Sequence, residues 1–164
     1  MTTGEIRRIG AQDTLLLRHE ILRPHQAPRE LVYPGDLDPA SLHVGVFVGG
    51  SLVGVASVLP RPMPEAPPGP AWQVRGMAVK PEFRGRGYGA ALLGACLDYV
   101  AAGGGGTIWC NARTSALSLY RAAGFETRGD EFQVPYAGPH FVMWRRVEPP
   151  GTGGGDQASP RRMI

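Results

Sequence analysis

Apolar residues along the chain change their spacing several times, and each change marks an element. Glu5 to Ile9 suits a short strand, and Asp13 or Thr14 can cap a helix that carries Leu15, Leu16, Leu17, Ile21 and Leu22 until Pro24 stops it. From Arg23 to Ser41, Pro, Gly, His and Asp recur without period, which predicts a long loop with room for one helical turn. Leu42 to Val48 and Leu52 to Leu59 are β-rich runs joined across Gly49 and Gly50, the signal of a two-residue hairpin. Six prolines between Pro60 and Pro70 predict a loop. Ala71 to Val79 then reads as a third long strand with Trp72, Val74, Met77 and Val79.

Helical spacing returns at Ala90 to Val100, where Leu92, Leu93, Cys96, Leu97 and Val100 fall on one side and Gly103 to Gly106 end the run. Thr107 to Ala112 is β-branched and aromatic enough for a strand, and Ser115 to Ala123 is a short helix closed by Gly124. Phe125 to Val134 and His140 to Val147 form a last hairpin around Pro135, Gly138 and Pro139. This order predicts an α/β (α+β) domain with a mostly antiparallel sheet of about six or seven strands and one parallel crossover in the middle.

Composition adds bounds. The chain has 164 residues, 43% of them hydrophobic, which suits one domain over residues 1–147. After Glu148 only Pro, Gly, Ser and charge remain, so 148–164 is expected to be a flexible tail. The net charge is only +3, and the basic cluster at Arg84 and Arg86 is interleaved with glycines. That suits a small anionic ligand better than nucleic acid, which calls for a basic stripe with stacking aromatics. Cys96 and Cys110 sit in apolar runs without C-x-x-C spacing or zinc-spaced histidines, so two buried reduced thiols and no metal are expected. No apolar leader follows Met1, and the uncharged run Val44 to Leu59 is short and broken by Gly49 and Gly50. The expectation is a cytoplasmic protein that does not insert into membranes.

Chemistry concentrates where the third long strand meets the following helix. Gly85, Gly87 and Gly89 let backbone N–H groups converge at a helix N-terminus, where partial positive charge collects and anions bind. Arg84 and Arg86 add charge-assisted donors, which favours a pyrophosphate. Gly85, Gly87 and Ala90 also satisfy G-x-G-x-x-A, but no acid lies between Asp98 and Glu126 to hold a ribose, and only one βαβ unit is present. No G-K-[ST] follows, so a Walker A loop is excluded. The remaining alternative is a glycine-rich turn with solvated arginines.

Arg84, Gly87 and Gly89 match the Arg/Gln-x-x-Gly-x-Gly/Ala signature of the GNAT acetyltransferase superfamily, and this chain resembles that family. The lead-in from Met77 to Phe83 and the later Leu119, Tyr120, Arg121, Ala122, Ala123, Gly124, Phe125 are similar to further pieces of it in the same order. The resemblance implies helices on both sheet faces, a V-shaped splay between two central strands, and a slot for acetyl-CoA. Met77, Ala78 and Val79 would face the pantetheine, while Gly85 to Ala90, with Arg86, Tyr88 and Gly89, would hold the pyrophosphate. Asn111 and Arg113 would form the far wall.

The activity so implied is N-acetyl transfer from acetyl-CoA to an amine acceptor of unidentified structure, by direct attack in a ternary complex, in a monomer or homodimer. Tyr120 is the candidate proton donor to the leaving thiolate, against a packed aromatic that only orders water. The two central strands lack the family's carboxylate, having Gln73, Arg75, Thr107 and Asn111 instead, so His140 becomes the candidate base. Glu126 and Glu131 are expected on a solvated face, and His43 is expected to begin a strand. Arg18, Arg23 and Asp36 are candidates for reading the acceptor's charges, against a solvated early helix. Arg75, if turned into the slot, would favour a carboxylate. The missing carboxylate keeps open a second reading, a CoA-binding sensor without catalysis; a third, a nucleic-acid protein, predicts affinity that falls steeply with salt.

Overall fold

The computed structural model describes residues 3–66 and 68–151. Its strands, β1 (Glu5–Ile9), β2 (Leu42–Val48), β3 (Ser51–Pro60), β4 (Ala71–Val79), β5 (Gly106–Arg113), β6 (Glu126–Val134) and β7 (Gly138–Val147), form one sheet in the order β1-β2-β3-β4-β5-β7-β6. Gly49 and Gly50 both have positive φ, 58° and 82°, the backbone a tight two-residue hairpin demands, so β2 and β3 pair as expected. Helix α2 (Tyr88–Ala102) carries the chain back across the sheet, so β5 runs parallel to β4, the sole parallel pair among the described residues. Every other pairing is antiparallel, and β7 inserts between β5 and β6.

Each face has its own core. Leu92, Leu93, Cys96 and Val100 of α2 are fully buried and pack on Val44, Val46, Val53, Val58, Val74 and Ile108. Each large side chain so buried contributes about 1.5–3 kcal/mol. The opposite face is smaller: Leu17, Val55 and Ala78 meet Ile9, Ile21, Leu22 and Leu52. A short α3 (Leu117–Ala122) ends at Gly124, whose φ of 91° closes it.

Two early expectations are corrected. Neither Asp13 nor Thr14 caps the first helix with its side chain: Thr14 stands at the N-cap of the α-helical part but its hydroxyl donates to the Ala11 carbonyl at 2.7 Å, and Gly10 precedes the opening turn, with the Asp13 carboxylate accepting its N–H at 2.9 Å. Nor is it one regular helix. A 3-10 turn (Ala11–Thr14) passes into α1 (Leu15–Leu17) and then a π turn (Arg18–Leu22), where the Arg23 N–H reaches the Arg18 carbonyl at 3.0 Å. The second correction concerns Arg18, which is not solvated but 0% exposed. The long loop behaves as expected, with one 3-10 turn at Pro28–Leu31. The proposed tail lies mostly outside the described residues, which end at 151. Among the described residues no helix is long and apolar enough to cross a membrane.

Cys96 and Cys110 are free and buried, and burial pushes both thiols up to about 12. The unfolded thiols lose their protons near the ordinary value of 9.0, whereas the folded ones keep theirs. Between those two values the unfolded state therefore binds fewer protons, and stability falls as pH rises. Thermal midpoints are expected to hold up to about pH 9 and decline above it, and a flat profile across that window would contradict the burial of both thiols.

Candidate active site

β4 and β5 touch over only three residue pairs, Ala71 with Thr107, Trp72 with Ile108 and Gln73 with Trp109. Beyond Gln73, β4 stays paired to β3 as far as Val79, while β5 stays paired to β7 as far as Arg113. The strands therefore fork, and the gap between them is a cleft of about 930 Å³. A bulge sits at the fork: Val55 pairs with Ala78 and Ser57 with Arg75, leaving Gly76 and Met77 opposite Ala56 alone. A bulge sharpens local twist and turns backbone groups out of the ladder. Gly76 is required there, because its φ is +66° and a Cβ would lie 2.9 Å from the Arg18 Nε. The bulge also shifts the alternation, so Trp72 and Val74 before it and Met77 and Val79 after it pack on the α2 core, while Ala78 belongs to the smaller core and Gln73 and Arg75 line the cleft.

At the cleft's mouth the chain makes a 3-10 turn (Pro81–Phe83) and enters α2 through Gly85 and Gly87, with φ of 76° and 84°. Gly87 is the cap residue, and no side chain caps the helix, so its first N–H groups stay available. A Cβ built on either glycine meets nothing within 4 Å, so the space above the cradle is open. The Arg84 Nε donates to the Val79 carbonyl at 3.0 Å, tying the turn to the end of β4. Gly89 and Ala90 in the first turn of α2, and the Tyr88 ring, line the same wall. Arg86 does not join them: it donates to the Glu82 carbonyl at 3.2 Å and lies over the Phe83 ring.

Asn111, Arg113, Tyr120 and His140 line the cleft from the β5 side, opposite Met77, Ala78 and Val79. Tyr120, 5% exposed, meets the Phe125 ring edge-on at 5.5 Å. Burial chiefly, then the Cys110 and Cys96 thiols, raises its phenol well above 10.0. His140 pairs with Arg113 across the β5–β7 ladder. Its Nδ1–H donates to the Gly138 carbonyl at 2.8 Å, so in the neutral ring Nε2 carries the lone pair. Glu126 and Glu131 are exposed, as expected.

Arg18 and Asp36 do not read an acceptor; they pair with each other at 2.7 Å, both side chains wholly buried. His43 does begin a strand, but it is also buried in this network, with Nε2–H donating to the Asp36 carbonyl at 2.8 Å and Nδ1 2.6 Å from the Ser57 hydroxyl. Tyr33, in the long loop, reaches the cleft unannounced by any motif, and Gln73 Oε1 is buried there without a hydrogen-bond partner.

A mixed sheet forked between its parallel strands, with a glycine turn leading into a helix at the fork's mouth, is the architecture of an acyltransferase. The model of the acetyltransferase (GNAT) family matches residues 11–125, and the chain belongs to that family. It is 35% identical to an uncharacterized N-acetyltransferase, YitI, of Bacillus subtilis over 143 residues, covering 87% of this chain and 96% of YitI. It is 32% identical to the N-alpha-acetyltransferase RimI of Mycobacterium tuberculosis, covering 79% of this chain and 80% of RimI. Among solved structures, an aminoglycoside 6'-N-acetyltransferase complexed with coenzyme A has the same fold, with a TM-score of 0.68 at 17% identity over 88% of this chain and 98% of that one. The protein is an acetyltransferase.

Proposed function

We propose that this chain transfers an acetyl group from acetyl-CoA to a primary amine by direct attack, with both reactants held in the forked cleft. The observation that carries this reading is the fork itself, three residue pairs between β4 and β5 and then a gap that runs to an uncapped helix N-terminus. The open space above Gly85 and Gly87 fits a diphosphate, which only unobstructed amides can approach closely. When bound, acetyl-CoA supplies an activated thioester carbonyl. Met77, Ala78 and Val79 offer it backbone groups, and an N–H of this segment, that of Val79 being our choice, stabilises the oxyanion. Tyr120 holds its proton until the thiolate leaves, consistent with a phenol raised by burial. Among the described residues no Asp or Glu lines the cleft, so His140, with Nε2 free to accept, takes the proton of the attacking amine, directly or through water. Asn111 and Arg113 close the far wall.

Calorimetry with CoA and thiol release from acetyl-CoA in the presence of amines test the reading together. CoA uptake with amine-dependent thiol release is expected. Uptake without release would favour a sensor, and no uptake at millimolar CoA would remove the assignment.

A further inference from the structure

Among the described residues, four arginines and no acidic residue line the cleft. Arg84 is tied to the cradle through Val79. Of the other three, Arg23 and Arg113 meet at the end of the π turn, and Arg75 lies over Tyr33 of the long loop. Arg23 and Arg113 each donate to the same Leu22 carbonyl at 3.2 Å, so two guanidinium groups converge on one neutral oxygen. Burial first, and Arg23 next, draws Arg113 below the ordinary arginine range. Arg75 stacks on Tyr33 at 4.0 Å from the ring centroid and has no hydrogen bond or carboxylate partner among the described residues. The acid that could have served, Asp36, has both oxygens committed to Arg18. Deeper in, Gln73 Oε1 waits at the base of the fork, 4% exposed and without a donor.

Two guanidinium groups that share one carbonyl, with a third over Tyr33 in the same cleft and no carboxylate bonded to any of them among the described residues, favour an anion, and a guanidinium fork matches a carboxylate in plane and spacing. The buried amide oxygen asks for a donor such as an N–H or a water held beside an amine. We propose that the acceptor is an amine that also carries a carboxylate, an amino-acid-like molecule, with Arg75, Arg113 and Arg23 holding the carboxylate and Gln73 Oε1 accepting from the amine end. The same cluster repels polycationic amines. This inference rests on the acetyl-transfer reading above and names its acceptor class.

The test measures thiol release at saturating acetyl-CoA for free amino acids and β-amino acids, each beside its own carboxamide, with a polyamine and phosphoethanolamine as further arms. At least one amino acid is expected to exceed its carboxamide in kcat/KM by about tenfold to a hundredfold, the worth of one or two charged hydrogen bonds. Arg75→Gln is expected to erase most of that ratio while the calorimetric affinity for CoA stays unchanged, and Arg75→Lys to restore part of it. Equal turnover of acids and carboxamides, a preference for the polyamine or phosphoethanolamine, or CoA uptake with no turnover of any acid overturns the carboxylate proposal and leaves CoA binding standing. Absence of CoA uptake in the same preparation overturns both.

Discussion

Replacing Tyr120 with phenylalanine is expected to lower kcat by roughly a hundredfold to ten-thousandfold, the usual worth of a positioned proton donor. The ring survives the change, so packing against Phe125 and the helix to which it belongs should persist. Affinity for CoA should change little, because the change removes only the phenol oxygen and leaves the first turn of α2 untouched. The wild-type pH profile carries a second expectation. Burial raises the phenol well above 10.0, so the donor remains protonated up to at least that pH. The acceptor amine meanwhile loses its proton as pH rises, so kcat/KM should climb through the neutral and mildly alkaline range without a fall caused by Tyr120. A Tyr120→Phe enzyme within threefold of wild type would reduce the residue to a packed aromatic. A basic limb that vanishes in the variant would mean that its phenol titrates lower than burial implies.

The parts of this molecule that were legible from sequence are those set by neighbours in the chain. Gly49 and Gly50 announce their turn because only such residues take two successive positive φ values, and the bounds of β4 follow from the apolar run between the proline loop and Lys80. The glycines between Arg84 and Ala90 announce the tight turn into α2 for the same local reason. The fork was not legible from periodicity, since β4 and β5 look like ordinary strands; it came from the resemblance of three short motifs. Gly76 was visible as a glycine within a strand, the usual mark of a bulge, but it was not singled out. Arg18 was misjudged because its environment is assembled from far along the chain: its partners Leu31, Asp36 and Ser57 stand 13, 18 and 39 residues away. No window of sequence around a charged helical residue distinguishes that fate from solvation. Arg86 illustrates the converse. Its place in the motif suggests a ligand, yet the local turn returns its guanidinium to Glu82 and Phe83.

Removing the Arg18 side chain is expected to have the largest effect on stability. Its guanidinium donates to the Leu31 carbonyl at 2.7 Å, to both Asp36 oxygens at 2.7 and 3.1 Å, and to the Ser57 hydroxyl at 3.0 Å. Its carbon also lies 3.9 Å from the centroid of the Tyr33 ring, and Nε, which lacks a partner, faces the bulge at Gly76. One side chain thus fastens the π turn, the long loop and the middle of β3 behind the acceptor side of the cleft. Arg18→Met would leave the Asp36 carboxylate buried with only the Tyr33 N–H, at 2.9 Å, to hold it. An uncompensated buried charge of this kind costs about 3–5 kcal/mol. For a domain of this size that is a fall in Tm of roughly 6–20 °C. Removing both charges, in Arg18→Met with Asp36→Leu, should recover much of the loss, because a buried ion pair replaced by apolar groups is often neutral. Activity should not recover with it. Without the pair, Tyr33 and Arg75 lose the backing that holds them at the cleft, so KM for the acceptor should stay raised while CoA affinity returns to the wild-type value. A double variant with wild-type KM would show that the pair serves stability alone, and a single variant with an unchanged Tm would show that the Asp36 carboxylate finds another partner once Arg18 is gone.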